Sequence, residues 1–243
     1  QVIPTFSLWW VCMLHDYYMH REDAAFIQQH LDGVQNVLHW FEQRVASNGM
    51  LGGLSWWPFV DWSWNWDNNI QIGGVPPGTM NGGSSILTLQ YAYTLQRAAE
   101  LMKRYGRNNM AAQYATAAQQ LTKSTYELCM DNQRQMLADT YLKKEFSQHA
   151  NILAILTDAI PKDDQAALLQ RVIKDTAITQ TTYYFTFYTF EALKKTGLGD
   201  MFLPMLKPWQ TMLDIGLTTF AESPEPVRSD CHAWSASPDY EFL

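Results

Sequence analysis

The densest group of chemistry-bearing side chains lies near the C-terminus, in Gly216-Leu-Thr-Thr-Phe-Ala-Glu-Ser-Pro-Glu-Pro-Val-Arg-Ser-Asp-Cys-His-Ala-Trp-Ser-Ala-Ser-Pro. Glu222, Glu225, Arg228, Asp230, His232 and Trp234 fall within thirteen positions, and three of them are acids. Hydrolysis of a glycosidic bond needs two carboxyl groups, one to protonate the leaving oxygen and one to activate water or attack carbon, beside aromatic faces that stack on the sugar. This segment can supply one of the two, with His232 and Trp234 against the sugar. A surface loop whose charges are merely solvated is the alternative. The second group is Ser55-Trp-Trp-Pro-Phe-Val-Asp-Trp-Ser-Trp-Asn-Trp-Asp, which sets Asp61 and Asp67 among five Trp. An indole stacks on the C–H face of a pyranose while a neighbouring carboxylate accepts bonds from its hydroxyls, so this alternation suits a carbohydrate subsite. The same residues suit an apolar cover over the end of a helix bundle, and both readings stay open here.

Composition removes several other chemistries. Among 243 residues, 17 basic side chains stand against 24 acidic ones, a net charge of −7. Nucleic-acid binding needs a surplus of Lys and Arg on one face, so it is not expected. No apolar run reaches the roughly 18 to 20 residues of a membrane helix. Cys12, Cys129 and Cys231 are odd in number and widely spaced, unlike a disulfide framework or a zinc site, and read as buried thiols. His15 and His20 are five apart, whereas one helical face needs three or four, and His30, His39 and His149 are isolated structural histidines. With no strand-to-helix Gly-rich loop and no nucleophile elbow, neither a metal nor a nucleotide cofactor is expected.

The elements that must carry these groups are helices. Ile27, Leu31, Val34, Leu38 and Phe41 recur at spacings of four, three, four and three, so Glu22 to Ala46 reads as an amphipathic helix ended by Asn48-Gly49. Phe6 to His20 precedes it. Met50 to Gly83 holds seven Gly, three Pro and five Trp, a long ordered loop or a pair of short strands. Helices resume over about Ser84 to Tyr105, Asn108 to Met130, Ser147 to Thr157, Lys162 to Thr176, Thr181 to Lys195 and Met201 to Leu213, punctuated by Gly106, Pro161 and Gly197. Eight helices in four pairs, with the chemistry in their connections and no fixed repeat period, favour an all-α, α/α toroid over a solenoid.

Five stretches then form a larger pattern. Phe6-Ser-Leu-Trp-Trp, Phe59-Val-Asp-Trp, Ser147-Gln-His-Ala-Asn, Phe187-Tyr-Thr-Phe-Glu-Ala-Leu, and Gly216-Leu-Thr-Thr-Phe-Ala-Glu with Asp230-Cys-His-Ala-Trp-Ser-Ala-Ser-Pro together resemble the catalytic domain of α-L-rhamnosidases, glycoside hydrolase family 78. The resemblance covers nearly the whole chain and implies a six-hairpin (α/α)6 barrel, a rhamnose-containing oligosaccharide or glycoside as substrate, and hydrolysis with inversion. It implies Glu222 as general base, His232, Trp62 and Trp10 as sugar contacts in the cleavage subsite, and Asp61 as a hydroxyl acceptor. Polysaccharide lyases, other α/α-toroid glycosidases and a noncatalytic carbohydrate-binding toroid remain the alternatives. The family's general acid belongs to a motif of the kind Asp-x-x-x-Arg-Asp-Glu-x-x-Gly-Trp, which nothing in this chain resembles. That departure, an N-terminus without a signal-peptide pattern, and eight helices instead of twelve lead us to expect residues 1–243 to be a partial catalytic domain, completed by chain N-terminal to residue 1 that carries the acid.

Overall fold

The computed structural model describes residues 2–63, 66, 73–224 and 227–242. Its main helices are α1 (Pro4–His20), α2 (Ala24–Glu42), α3 (Ser85–Arg104), α4 (Asn108–Cys129), α5 (Gln148–Leu156), α6 (Lys162–Lys174) and α7 (Tyr183–Thr196). Short α8 (Phe202–Met205), α9 (Lys207–Asp214) and α10 (Ser237–Glu241) follow. One small hairpin, β1 (Met130–Asp131) with β2 (Met136–Leu137), pairs Met130 with Leu137 and Asp131 with Met136.

Burial sorts the helices into two layers. Every residue of α5 and an unbroken run from Ser85 to Leu95 in α3 are buried, which marks helices surrounded by protein. By contrast α2 buries only Ile27, Leu31, Val34, Leu38 and Phe41, and α6 only Gln165, Leu168, Leu169 and Val172, the single stripe of an outer helix. The inner helices pack in the order α1, α3, α5, α7, while α2, α4 and α6 fold back outside as hairpin partners. The fold is the all-α toroidal arrangement. Between the inner helices, Trp9 stacks on Tyr188 at 4.5 Å and Tyr93 meets both rings edge-on.

Local chemistry explains where the elements stop. Asp23, Ser84 and Ser147 cap α2, α3 and α5 by accepting bonds from Phe26 N, Leu87 N and Ala150 N. Gly197, at φ 72°, ends α7. The second helix ends at Glu42, earlier than its apolar periodicity suggests. There Arg44 lies over the Trp40 ring and donates to the Trp40 carbonyl, capping the C-terminus with a cation. Asn48-Gly49 instead turns the chain between the bridged residues Val45 and Leu51. The helix expected over Met201 to Leu213 is broken at Leu206, because Pro208 lacks an N–H and starts a new helix. The β1–β2 hairpin was not anticipated. Two-residue strands are too short to show a period, and the signal lies in Asp131, whose carboxylate accepts from Gln133 N and Arg134 N in the turn.

The N-termini of all four inner helices meet connecting loops at the same end of the bundle. Thr5 of α1 donates to the Phe59 carbonyl, and Ser85 N of α3 donates to the Asp139 carbonyl. Ser147, at the start of α5, donates its hydroxyl to Asp139 Oδ1 at 2.6 Å, and Thr182, at the start of α7, binds Asp61. Asp139 is fully buried, its Oδ2 has no partner, and burial pushes its carboxyl up to about 7 against the opposing Ser147 bond.

A folded-state value raised above the unfolded one means that the unfolded chain loses this proton first as pH rises. Stability should therefore fall between about pH 4 and pH 7, by up to about 4 kcal/mol from this group, and level off above. Asp139→Asn removes the titration. Urea unfolding at pH 4.5 and pH 7.5 should show the variant losing less stability than the wild type across that interval. Equal losses would remove Asp139 as the source.

Candidate active site

The Asp-Trp loop is anchored through its carboxylate. Asp61 is 0% exposed, and Oδ1 accepts from Trp62 N at 2.9 Å and from the Thr182 hydroxyl. Oδ2 accepts from Thr182 N and His149 Nε2, both at 2.8 Å. Thr182 is the N-cap of α7, so the carboxylate sits where the helix leaves N–H groups unpaired and its dipole favours a negative charge. His149 projects from α5 between Trp66 and Phe185, each with ring centroids 4.4 Å away. Burial holds its imidazole below the ordinary histidine range, opposed by the Asp61 bond, so neutral His149 donates through Nε2. Ser63 extends the anchor by donating to the Gln180 carbonyl at 2.9 Å.

This anchor fixes Trp62. Its ring lies 4.9 Å from Phe59 and 5.9 Å from Trp57, and its indole N–H donates to Glu222 Oε1 at 3.0 Å. Gly74 makes the close packing possible: at φ 75° its Cβ position lies 2.4 Å from the Phe59 ring, so no side chain fits there.

Glu222 approaches from the opposite side on the C-terminal segment. That segment doubles back on itself, with Glu222 N bonded to the Ser229 carbonyl and His232 N to the Phe220 carbonyl. Trp234 Nε1 donates to the Glu222 carbonyl at 2.8 Å. The Glu222 side chain is 1% exposed, and Arg228 clasps it by Nη2 to Oε1 at 2.5 Å and Nε to Oε2 at 3.1 Å. His232 Nε2 stands 3.7 Å from Oε1, while Nδ1 is held by the Ser229 hydroxyl at 3.1 Å. Trp234 stacks on Phe59 at 6.0 Å and on Tyr184 at 5.1 Å, forming an aromatic wall beside His232.

Glu222, Trp62, His232 and Trp234 are thus brought together from the two chemistry-bearing segments. Two expected contacts are corrected. Asp61 has no exposed surface and gives both oxygens to protein donors, so it positions Trp62 instead of meeting a hydroxyl. Trp10 faces α2, edge-on to His30 at 6.0 Å and against Gly33, because consecutive helical residues point about 100° apart. From α1 it is Phe6 that reaches the loop, 5.8 Å from Phe59. Asp67 and Glu225 lie outside the described residues. Sequence reasoning overlooked the roles of Arg228, Thr182 and Tyr184, and read His149 as isolated, although its Ser147-Gln-His motif had been singled out. Cys12 and Cys129 are buried and burial pushes both thiols up to about 12, but Cys231 is exposed on the site loop, contrary to expectation. Among the described residues no three His, Cys, Asp or Glu converge as a metal site, and no helix is long and apolar enough to cross a membrane.

The anchor has a measurable worth. Asp61→Asn turns an amide donor toward groups that are themselves donors and leaves a buried bond unmade, which should cost about 2 to 3 kcal/mol in urea unfolding. Thr182→Val, which removes one hydroxyl bond, should cost about 1 kcal/mol. An Asp61→Asn loss below about 0.5 kcal/mol would show that the carboxylate does not hold the loop.

Comparison with known proteins places this geometry. No curated protein matches the chain by sequence. The structure is similar to a rhamnosidase from Klebsiella oxytoca with rhamnose bound, with a TM-score of 0.83 and 22% identity over 99% of this chain and 46% of that one. It is also similar to a GH78 family rhamnosidase of Bacillus sp. GL1, with a TM-score of 0.80 and 20% identity over 99% of this chain and 26% of that one. The chain thus spans less than half the length of either. The family model for the bacterial α-L-rhamnosidase six-hairpin glycosidase domain matches residues 1–243, and the chain belongs to that family.

Proposed function

We propose that residues 1–243 form the C-terminal part of the catalytic domain of an inverting glycoside hydrolase that removes terminal α-L-rhamnose, with Glu222 as general base. The observation that carries this reading is the convergence on Glu222 of the Trp62 indole, the Arg228 guanidinium and the His232 ring beside the Trp234 wall. Its two carboxylate oxygens accept from the Trp62 indole and the Arg228 guanidinium, which fix where the carboxylate points. Trp62 lends an aromatic ring to the sugar, Trp234 backs the site from its stack between Phe59 and Tyr184, and His232 stands within reach of a hydroxyl beside the attacked carbon. The bound rhamnose of the Klebsiella rhamnosidase supports the same sugar here.

Water attacks the anomeric carbon from the Glu222 side while a second carboxyl protonates the departing oxygen on the opposite face. Inversion sets the two carboxyl groups roughly 6.5 to 9.5 Å apart so that the water fits between base and sugar. We assign the acid to a segment outside residues 1–243. Arg228 closes the carboxylate in this structure, yet its own side chain is 72% exposed. Sugar binding has to draw this guanidinium aside to open Glu222 to water, and the hydroxyls and water that replace it supply the donors the buried carboxylate loses.

The test is hydrolysis of p-nitrophenyl α-L-rhamnopyranoside by the full-length protein, because residues 1–243 alone, without the acid and part of the pocket wall, should be nearly inactive. The first sugar released should be the β-anomer by NMR. Glu222→Gln should lower kcat by about 10² to 10⁴ while L-rhamnose affinity is kept. A variant that turns over like the wild type removes Glu222 as base. L-rhamnose binding without turnover of this or other glycosides by the wild type would favour a noncatalytic carbohydrate-binding toroid.

A further inference from the structure

Trp56 stands apart from the other tryptophans. It is 55% exposed, and among the described residues no other Trp is exposed. Its backbone is left-handed at φ 66°, a conformation that glycine and asparagine adopt easily and a bulky residue adopts only at a free-energy cost. One face stacks on Trp40, with ring centroids 5.9 Å apart and planes 23° from parallel, and Arg44 lies over that same Trp40 ring. Stacking on one side and more than half exposure overall leave the outer face of the indole open. Fold alone does not account for the choice, since a smaller residue would take this turn without strain and without leaving apolar surface in water.

The position of Trp56 indicates what covers that face. Trp57, the next residue, turns inward: its indole donates to the Gly73 carbonyl and its ring lies 5.9 Å from Trp62, which bonds Glu222. Trp56 thus stands on the same aromatic loop that carries Trp62 to the candidate base, one residue before the inward-turned Trp57. An open indole face, flat and apolar, matches the C–H face of a pyranose. We propose that Trp56, steadied by Trp40 and Arg44, is a distal carbohydrate subsite that stacks on a pyranose ring of the glycan chain several units from the cleaved rhamnose. The inference rests on the glycosidase reading above, and it adds a preference for extended oligosaccharides over short glycosides.

Calorimetric titration of the full-length protein with L-rhamnose, and with a sulfur-linked tetrasaccharide of α-L-rhamnose that resists cleavage, tests it. The tetrasaccharide should bind about tenfold more tightly than the monosaccharide, and Trp56→Ala should abolish that gain while leaving L-rhamnose affinity unchanged. Trp56→Phe, which keeps a ring, should retain most of the gain. If L-rhamnose binds and Trp56→Ala leaves the tetrasaccharide affinity intact, or lowers both affinities equally, the subsite is overturned and the glycosidase reading stands. If the wild type binds neither sugar, both fail. A sedimentation change in Trp56→Ala without a change in sugar affinity would assign the indole to a protein contact and also overturn the proposal.

Discussion

The Asp61 carboxylate accepts four hydrogen bonds without touching solvent, and its donors come from the loop itself, from the start of α7 and from the first turn of α5 through His149. A carboxylate buried without donors costs several kcal/mol, so the loop, α5 and α7 have to be in place together or not at all. The apolar contacts on this end are less demanding. Phe59, Trp57 and Trp62 could slide against one another at little cost, but the backbone N–H of Trp62 is bonded to the carboxylate next to it. The direction of the Trp62 indole, and with it the bond to Glu222, follows from an interaction made entirely out of reach of any substrate.

Glu222 is supported in a different way. It sits on a segment without regular secondary structure, where the chain pairs with itself through Ser229 and Phe220 and is buttressed by Trp234, whose indole N–H holds the Glu222 carbonyl. Trp234 is in turn stacked between Phe59 and Tyr184, so Glu222 and the Asp-Trp loop share one aromatic wall. The two segments lie 160 residues apart in sequence and meet through the Trp62 indole N–H, the Arg228 guanidinium over the Trp62 ring and the stack of Trp234 on Phe59. Residues on loops carry the chemistry, and the helices supply the fixed points to which the loops are tied.

How much of this was legible in the sequence depended on the length over which each signal repeats. The stripe of α2, the pairing of successive helices and the glycine that ends α7 are periodic or local signals, and they predicted the toroid. The loop signal of alternating Asp and Trp marked the right residues but not their orientation. Trp10 and Trp9 look alike on an aromatic-rich helix, and only the packing of α2 decides which one turns outward. Asp61 reads as a hydroxyl acceptor until His149 and Thr182, 88 and 121 residues away, are seen to occupy it. No pattern within the loop states that its acid is already paired. The early end of α2 has the same cause, since Arg44 caps the helix through a ring contact that no apolar periodicity records.

The two buried aspartates show why this end of the bundle can hold carboxyl chemistry at all. Four inner helices present their N-termini here, and each leaves backbone N–H groups without intrahelical partners beside a positive dipole end. Asp61 accepts from the backbone at the start of α7 and collects two side-chain donors besides. Asp139, at the junction of α3 and α5, receives a side-chain bond from Ser147 but leaves Oδ2 unpartnered, and burial pushes it up to about 7. At the same depth and the same end of the bundle, the two carboxyl groups differ in the number of donors aimed at their oxygens. Glu222 lies beyond the helix ends, so its donors have to be brought by side chains, the Trp62 indole from one segment and Arg228 from its own. Only the second is largely exposed: Trp62 is half-buried on the anchored loop, whereas Arg228 reaches Glu222 from the solvent side.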